Sequence, residues 1–314
     1  MAKDQGTHID LQGGFIVIVV SGASGQLGRL TVGHLLQRVD AARVVALSRT
    51  PDAVADLGVA TRYADFDDPA SLRGALEGAE RLLMISMGSL TGAPRGHVNA
   101  IEAAVKAGVG QVIYTSFARA GEPGQPQALI QNHGETERLL AESGLTFTAL
   151  RFNQWPEMWN LVGLPAIAVA TGVLPSNSGD GRVGHITRDD SAAVAAAVLA
   201  EGGCEGQLLE VTGPEAVTDA DVADALAQVT GRPIRCEQVS DTDLAAALSG
   251  RGLPEMYVQG WTGLGTYKRD GWFDVTTHAV EHLTGRKPTP IADYFAAHPE
   301  ALEFPGAETV SSTG

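Results

Sequence analysis

Residues 20–28 read VSGASGQLG, with Gly22, Gly25 and Gly28 spaced three apart, directly after the apolar run FIVIVV (15–20) and directly before a helical pattern. This order of strand, glycine turn and helix restricts the chain more than any other feature. Gly22 permits a tight turn, Gly25 lets the backbone approach a pyrophosphate, and Gly28 allows close helix packing. The N–H groups freed at the helix start then bind the anion. Ser24, Gln26 and Leu27 therefore join the three glycines as expected cofactor contacts. The letters alone would also suit a plain glycine-rich turn; the strand before and the helix after separate the two readings.

The same rhythm continues for over a hundred residues. Short β-rich runs recur at RVVALS (43–48), TRYAD (61–65), RLLMIS (81–86), QVIYTS (111–116) and FTALRF (147–152). Most are unbroken apolar stretches, the pattern of strands buried on both faces of a parallel sheet. Helical segments at Leu27–Val39, Pro69–Leu76 and His97–Ala107 lie between them, and Gly108 and Gly144 stand where helix ends belong. The alternation predicts an α/β fold, a Rossmann-type doubly wound parallel sheet over residues 14–152. After 152 the rhythm breaks at Pro156, Pro165 and Pro175, before a helix at Ser191–Ala200, a strand LLEVTG (208–213) and a helix at Asp219–Thr230. Residues 153–304 read as a smaller α/β substrate-binding region, with elements free to return to the sheet. Residues 1–13 and 305–314 read as polar tails.

Which dinucleotide the fold takes depends on the second strand. NAD-selective folds place an acid there for the ribose 2′-hydroxyl. AARVVALSRTP (41–51) contains no acid and ends its strand on Ser48–Arg49. A guanidinium at Arg49 suits a 2′-phosphate, which favours NADP(H); a solvated loop arginine is the plainer alternative. Asp65 and Phe66 follow the third strand and would flank the adenine, although Asp65 also suits a turn. Ser86 and Met87, Thr115 and Ser116, and Asn153 end the next three strands at the expected rim of the nicotinamide ribose.

Charge narrows the partners. A formal net charge of -15 with no Lys/Arg-rich run speaks against nucleic acid and anionic membrane surfaces. The two cysteines, Cys204 and Cys236, lack metal-site or disulfide-framework spacing and read as small buried residues of a protein from a reducing cytoplasm. The run Phe15–Val20 is too short to span a bilayer and lacks a signal-peptide cleavage pattern. A small molecule is the expected partner, and the helical surface of the first region leaves room for a homodimer.

Carbonyl reduction on such a sheet commonly uses Tyr and Lys four apart on the helix after strand five, the tyrosine as proton donor. None of the five tyrosines here has a lysine four residues on. At the expected place stands NHGETE (132–137), with His133 where the tyrosine belongs and Glu137 where the lysine belongs. His133 is the one catalytic candidate, able to give a proton to a reduced acceptor or to hydrogen-bond its oxygen. Glu137 would raise its pKa and a helix N-terminus would lower it. A capping box from Asn132 to Glu135 is the competing reading, with Pro126 as an earlier start. Phe117, Trp155 and Trp159 are expected either to line a pocket for a flat substrate or to seal the core.

Taken in order, GASGQLG, ALSRTP, ADFDDPASL, LLMIS, VIYTS, HGETE and LRFNQW resemble the NmrA-like branch of the atypical short-chain dehydrogenase/reductases. The nearest subgroup is the bacterial NADPH:quinone oxidoreductase type 2 proteins, which also carry His-x-x-Thr-Glu in place of Tyr-x-x-x-Lys. The similarity runs from about residue 16 to 300 and loosens after 160, where TRDDSAAVAAAVL (187–199) and TGRKPTPIADYF (284–295) still fit. The resemblance implies NADPH binding and reduction of a quinone or related aromatic acceptor. A non-catalytic NADP(H)-binding redox sensor is the alternative; an epimerase or dehydratase is excluded by the missing Tyr/Lys pair. FNQWPEMW (152–159) departs from the pattern in its bulk, which leaves the substrate open.

Overall fold

Apolar β-branched runs become strands that bury both faces, and alternate residues of each run feed two different cores. In the computed structural model, which describes residues 16–87, 95–124 and 128–303, these strands are β1 (Val17–Val20), β2 (Val44–Ser48), β3 (Ala60–Tyr63), β4 (Ala79–Met84), β5 (Gln111–Phe117) and β6 (Phe147–Phe152). After β6 the chain forms β7 (Val173–Ser176) and β8 (Arg182–Val183) outside the sheet, then returns with β9 (Leu208–Val211) beside β6. The seven-stranded sheet has the order β3-β2-β1-β4-β5-β6-β9 and is parallel throughout. Two small ladders complete the strands, β10 (Val217–Thr218) against β8 and β11 (Arg235–Gln238) against β7.

Val19, Leu82, Val112 and Tyr114 point to one face, beneath α2 (Pro69–Ala75), α3 (Arg95–Ala107) and α4 (Ala128–Glu142). Ile18, Leu83, Ile113 and Leu150 point to the other, beneath α1 (Gln26–Leu35) and α7 (Arg188–Glu201). The small residues of α7 let it sit close against α1, with every residue from Asp190 to Leu199 buried. Gly108 and Gly144 end α3 and the turn after α4 with φ of +69° and +78°, as their positions before strands predict.

A third core forms from α5 (Glu157–Leu161), α6 (Leu164–Thr171), α8 (Asp219–Thr230), α9 (Asp241–Ser249) and α10 (Glu255–Arg269). It encloses a cation. Lys268 Nζ lies 2.9 Å from Asp219 Oδ1, and 4.6 Å and 5.4 Å from the ring centroids of Trp159 and Trp261. Ser176 and Ser178 donate to the other Asp219 oxygen at 2.8 and 2.7 Å. Burial opposes ionisation of Asp219, yet the lysine and these donors outweigh it and leave the pKa lowered.

Several expectations need correction. Trp159 is 1% exposed inside this third core, which removes it from any pocket wall. The cysteines are half-buried and free rather than fully buried. The helix carrying NHGETE starts before Asn132, so that stretch is no cap and His133 stands within α4. Phe15, Pro126 and the two tails lie outside the described residues.

Candidate cofactor and reduction site

All seven strands run the same way, so their carboxyl ends share one edge, and the order reverses between β1 and β4. A crevice opens at such a switch point. The glycine loop follows β1 at this edge, with Ser21 N–H held by Leu83 O of β4 at 3.0 Å. Gly22 has φ +59°, a conformation that a side chain disfavours. A Cβ on Gly28 would lie 2.3 Å from Gly22 O and 2.8 Å from Ala23 Cα, so only glycine lets α1 start this close to the turn. Gly25 is the N-cap and offers no side-chain cap, while Ser24, Gly25 and Gln26 are exposed and Leu27 is buried beneath them. The first N–H groups of α1 therefore face outward without side-chain capping, a cradle that fits a pyrophosphate.

The neighbouring strand ends pack onto this loop. Ala23 N–H donates to Leu47 O (3.0 Å), drawing the loop against the end of β2, where Arg49 is exposed. Asp65 caps its own turn by accepting from Asp67 N–H at 3.0 Å, the turn role its sequence allowed. Phe66 and Met87 meet above Gly96 of α3, where a Cβ would lie 3.0 Å from each. Thr115 Oγ1 accepts from Ser86 N–H at 2.8 Å and donates to Ser86 Oγ at 3.2 Å, locking the ends of β4 and β5 together. Asn153 spends both ends of its carboxamide inside the protein, donating to Phe273 O (3.0 Å) and accepting from Gln154 N–H (2.8 Å). Trp155 donates to Ser191 Oγ (3.0 Å) and lies 4.7 Å beneath the Arg188 guanidinium, which itself donates to Gln26 Oε1 (2.7 Å).

α4 crosses β5 so that their periods match. Four helical residues advance about 6 Å and two strand residues about 6.6 Å. His133 and Glu137 thus meet Tyr114 and Ser116 in step. His133 Nδ1 lies 2.9 Å from the Tyr114 hydroxyl, and Ser116 donates to Glu137 Oε1 at 2.6 Å. Glu137 does not act on His133. It takes Arg151 of β6 side-on, with Nε at 3.0 Å and an NH2 group at 2.7 Å, and Arg151 also reaches Glu210 of β9 at 3.3 Å and the carbonyl of Ala120. Ser116 is thereby turned into the protein, away from the rim where it was expected. Phe117 stacks on His133 with centroids 5.9 Å apart and meets Phe273 edge-on at 5.9 Å.

Two functional candidates escaped the sequence reading. Tyr114 was placed only as a strand residue. His97 of α3 donates or accepts at Thr136 (2.9 Å) and receives Met87 N–H at 2.9 Å. Its signal was available: with Ala100, Ile101 and Ala104 it forms an i, i+3, i+4, i+7 stripe.

Burial holds three histidines neutral: His97 down to about 4, His133 to about 3 with His97 assisting, and His185 to about 3 with Lys268 assisting. Unfolded, each titrates near about 6.5. As the pH falls from that value towards the folded ones, the unfolded chain takes up protons that the fold refuses. Stability then drops by up to about 1.4 kcal/mol per pH unit per histidine. Urea midpoints should fall steadily from pH 7 to pH 5; a flat midpoint would contradict buried neutral rings.

The sequence pattern of the NAD(P)H-binding family matches residues 22–202. The chain belongs to this NAD(P)H-binding family. It is 39% identical over 284 residues to quinone oxidoreductase 2 of Escherichia coli (strain K12), covering 88% of this chain and 96% of that one. It is 30% identical over 288 residues to an NmrA-like family domain-containing oxidoreductase of Aspergillus flavus, covering 88% of this chain and 92% of the relative. The solved NADPH-dependent quinone oxidoreductase of Escherichia coli complexed with NADPH superimposes with a TM-score of 0.84 at 34% identity, over 90% of this chain and 100% of that one. The resemblance drawn from the motifs holds. No helix among the described residues of this NAD(P)H-binding protein is long and apolar enough to cross a membrane.

Proposed function

We propose that the protein is a cytoplasmic NADPH-dependent reductase that passes hydride to a quinone or a related flat aromatic acceptor. The observation that carries this reading is the helix after β5. Where carbonyl reduction needs an acid, the chain presents a neutral histidine, and where it needs a lysine, a glutamate already taken by Arg151. A ketone would leave a strongly basic alkoxide at this place. A quinone leaves a delocalised, weakly basic anion, which demands little beyond positioning and exclusion of water. Bound NADPH supplies the hydride. Gly22, Ser24, Gly25, Gln26, Leu27 and Gly28 hold its pyrophosphate, Arg49 the 2′-phosphate, Asp65 and Phe66 the adenine side, and Ser86, Met87 and Thr115 the rim towards the nicotinamide. His133 and Phe117 face the acceptor. The quinone oxidoreductase relative supports the substrate class, and residues 153–304 supply the cover over the edge.

Mixing the protein with NADPH and a panel of quinones, and following the nicotinamide absorbance, tests this directly. Rapid oxidation with at least one quinone is expected; tight binding without oxidation across the panel sinks the reductase reading in favour of a redox sensor. Arg49→Ala should raise the KM for NADPH about tenfold, the worth of one exposed charge-assisted contact, and leave NADH nearly unchanged. Equal losses for both cofactors refute the 2′-phosphate assignment.

A further inference from the structure

The two nitrogens of His133 have different fates. Nδ1 lies 2.9 Å from the Tyr114 hydroxyl. Nε2 makes no hydrogen bond to a described residue, and His133 is 7% exposed rather than fully enclosed.

Counting hydrogens fixes which nitrogen carries the proton. Tyr114 is 0% exposed, and His133 Nδ1 is the acceptor its hydroxyl reaches among the described residues. Thr136 also neighbours the phenol, but the hydrogen bond of good geometry that the hydroxyl makes among the described residues is the one to His133 Nδ1. Met87 N–H can only donate, so His97 Nε2 accepts and His97 Nδ1–H donates to Thr136 Oγ1. Thr136 in turn gives its own hydrogen to Asn132 O at 2.9 Å. A buried hydroxyl left without an acceptor is costly. The phenol therefore donates to His133 Nδ1, and the remaining imidazole proton sits on Nε2.

We propose that Tyr114 is a positioning residue of the reduction site: its hydroxyl fixes His133 as the Nε2–H tautomer and so aims a neutral hydrogen-bond donor at the oxygen of the acceptor. The inference rests on the reading of His133 as the residue that faces the acceptor. Hydride addition brings two electrons and one hydrogen to the quinone and leaves a hydroquinone monoanion. Nε2–H steadies that oxygen by a hydrogen bond and keeps its proton, because giving it up would leave an imidazolate above a buried phenol. Water supplies the balancing proton to the product. The tyrosine absent from the helix thus has a counterpart on the strand below, acting through the histidine rather than on substrate.

Imidazole 15N spectra of the wild-type protein test the tautomer, with the His133 signals identified by their loss in His133→Ala. A proton on Nε2 and an acceptor-type Nδ1 are expected; a proton on Nδ1 overturns the proposal whether or not Tyr114→Phe folds. Tyr114→Phe should lower kcat about tenfold, the worth of one hydrogen bond, leave the KM for NADPH unchanged and convert the spectrum to a mixture of tautomers. In a His133→Ala background the same change should lower kcat no further, whereas additive losses indicate a merely structural tyrosine. If His133→Ala itself leaves kcat intact, the reading of His133 fails. If His133→Ala is slow but Tyr114→Phe is not, the positioning role alone fails.

Discussion

Exchanging Arg151 for methionine is expected to cost the fold about 3–5 kcal/mol, the range for breaking a buried ion pair from one side. The guanidinium and the Glu137 carboxylate are only 10% and 6% exposed, so water cannot replace the lost partner. The variant also leaves Glu210 uncompensated. Burial already raises the Glu210 pKa despite the nearby arginine, and its Oε2 has no partner among the described residues. A group with a raised folded pKa contributes its stability at low pH and loses it as the pH rises. Part of the deficit of Arg151→Met should therefore return between pH 7 and pH 5. Glu137→Gln keeps one acceptor and leaves Arg151 paired with Glu210, so it should cost clearly less. Equal urea midpoints for the two variants would refute the charge-balance account.

Gly28→Val should weaken NADPH binding by about a hundredfold, about 2.7 kcal/mol, with the fold itself retained. The added Cβ would fall 2.3 Å from Gly22 O and 2.8 Å from Ala23 Cα, both backbone atoms that cannot rotate away. The turn must move, and with it the N–H groups that face the phosphates. Fluorescence titration with NADPH measures the loss. Unchanged affinity would mean that the cradle lies elsewhere on the sheet edge.

Much of the frame was legible because it depends on short-range pattern. FIVIVV, QVIYTS and FTALRF had to be strands of a sheet covered on both faces, and the glycine loop told which end mattered. The Glu137 network was not legible, because it depends on α4 crossing β5 in step. That crossing is a tertiary fact that no window of sequence contains. An available clue was Arg151, a lone cation in the apolar run FTALRF, which must find a counter-charge when buried. Trp159 was undecidable from FNQWPEMW for a similar reason. Its neighbour Lys268 comes from α10, and only the cation seated on its ring makes it a core residue rather than a pocket wall.

The late return of β9 to the sheet bears on how the protein is made. Until β9 leaves the ribosome, β6 presents a bare row of backbone donors and acceptors along FTALRF, an apolar edge of the kind that recruits strands from other chains. The nascent sheet therefore stays open to mispairing while the intervening segment is synthesised. A fragment ending at residue 152 would keep the whole glycine loop and still be prone to aggregate, so the cofactor-binding half depends on a strand encoded after it.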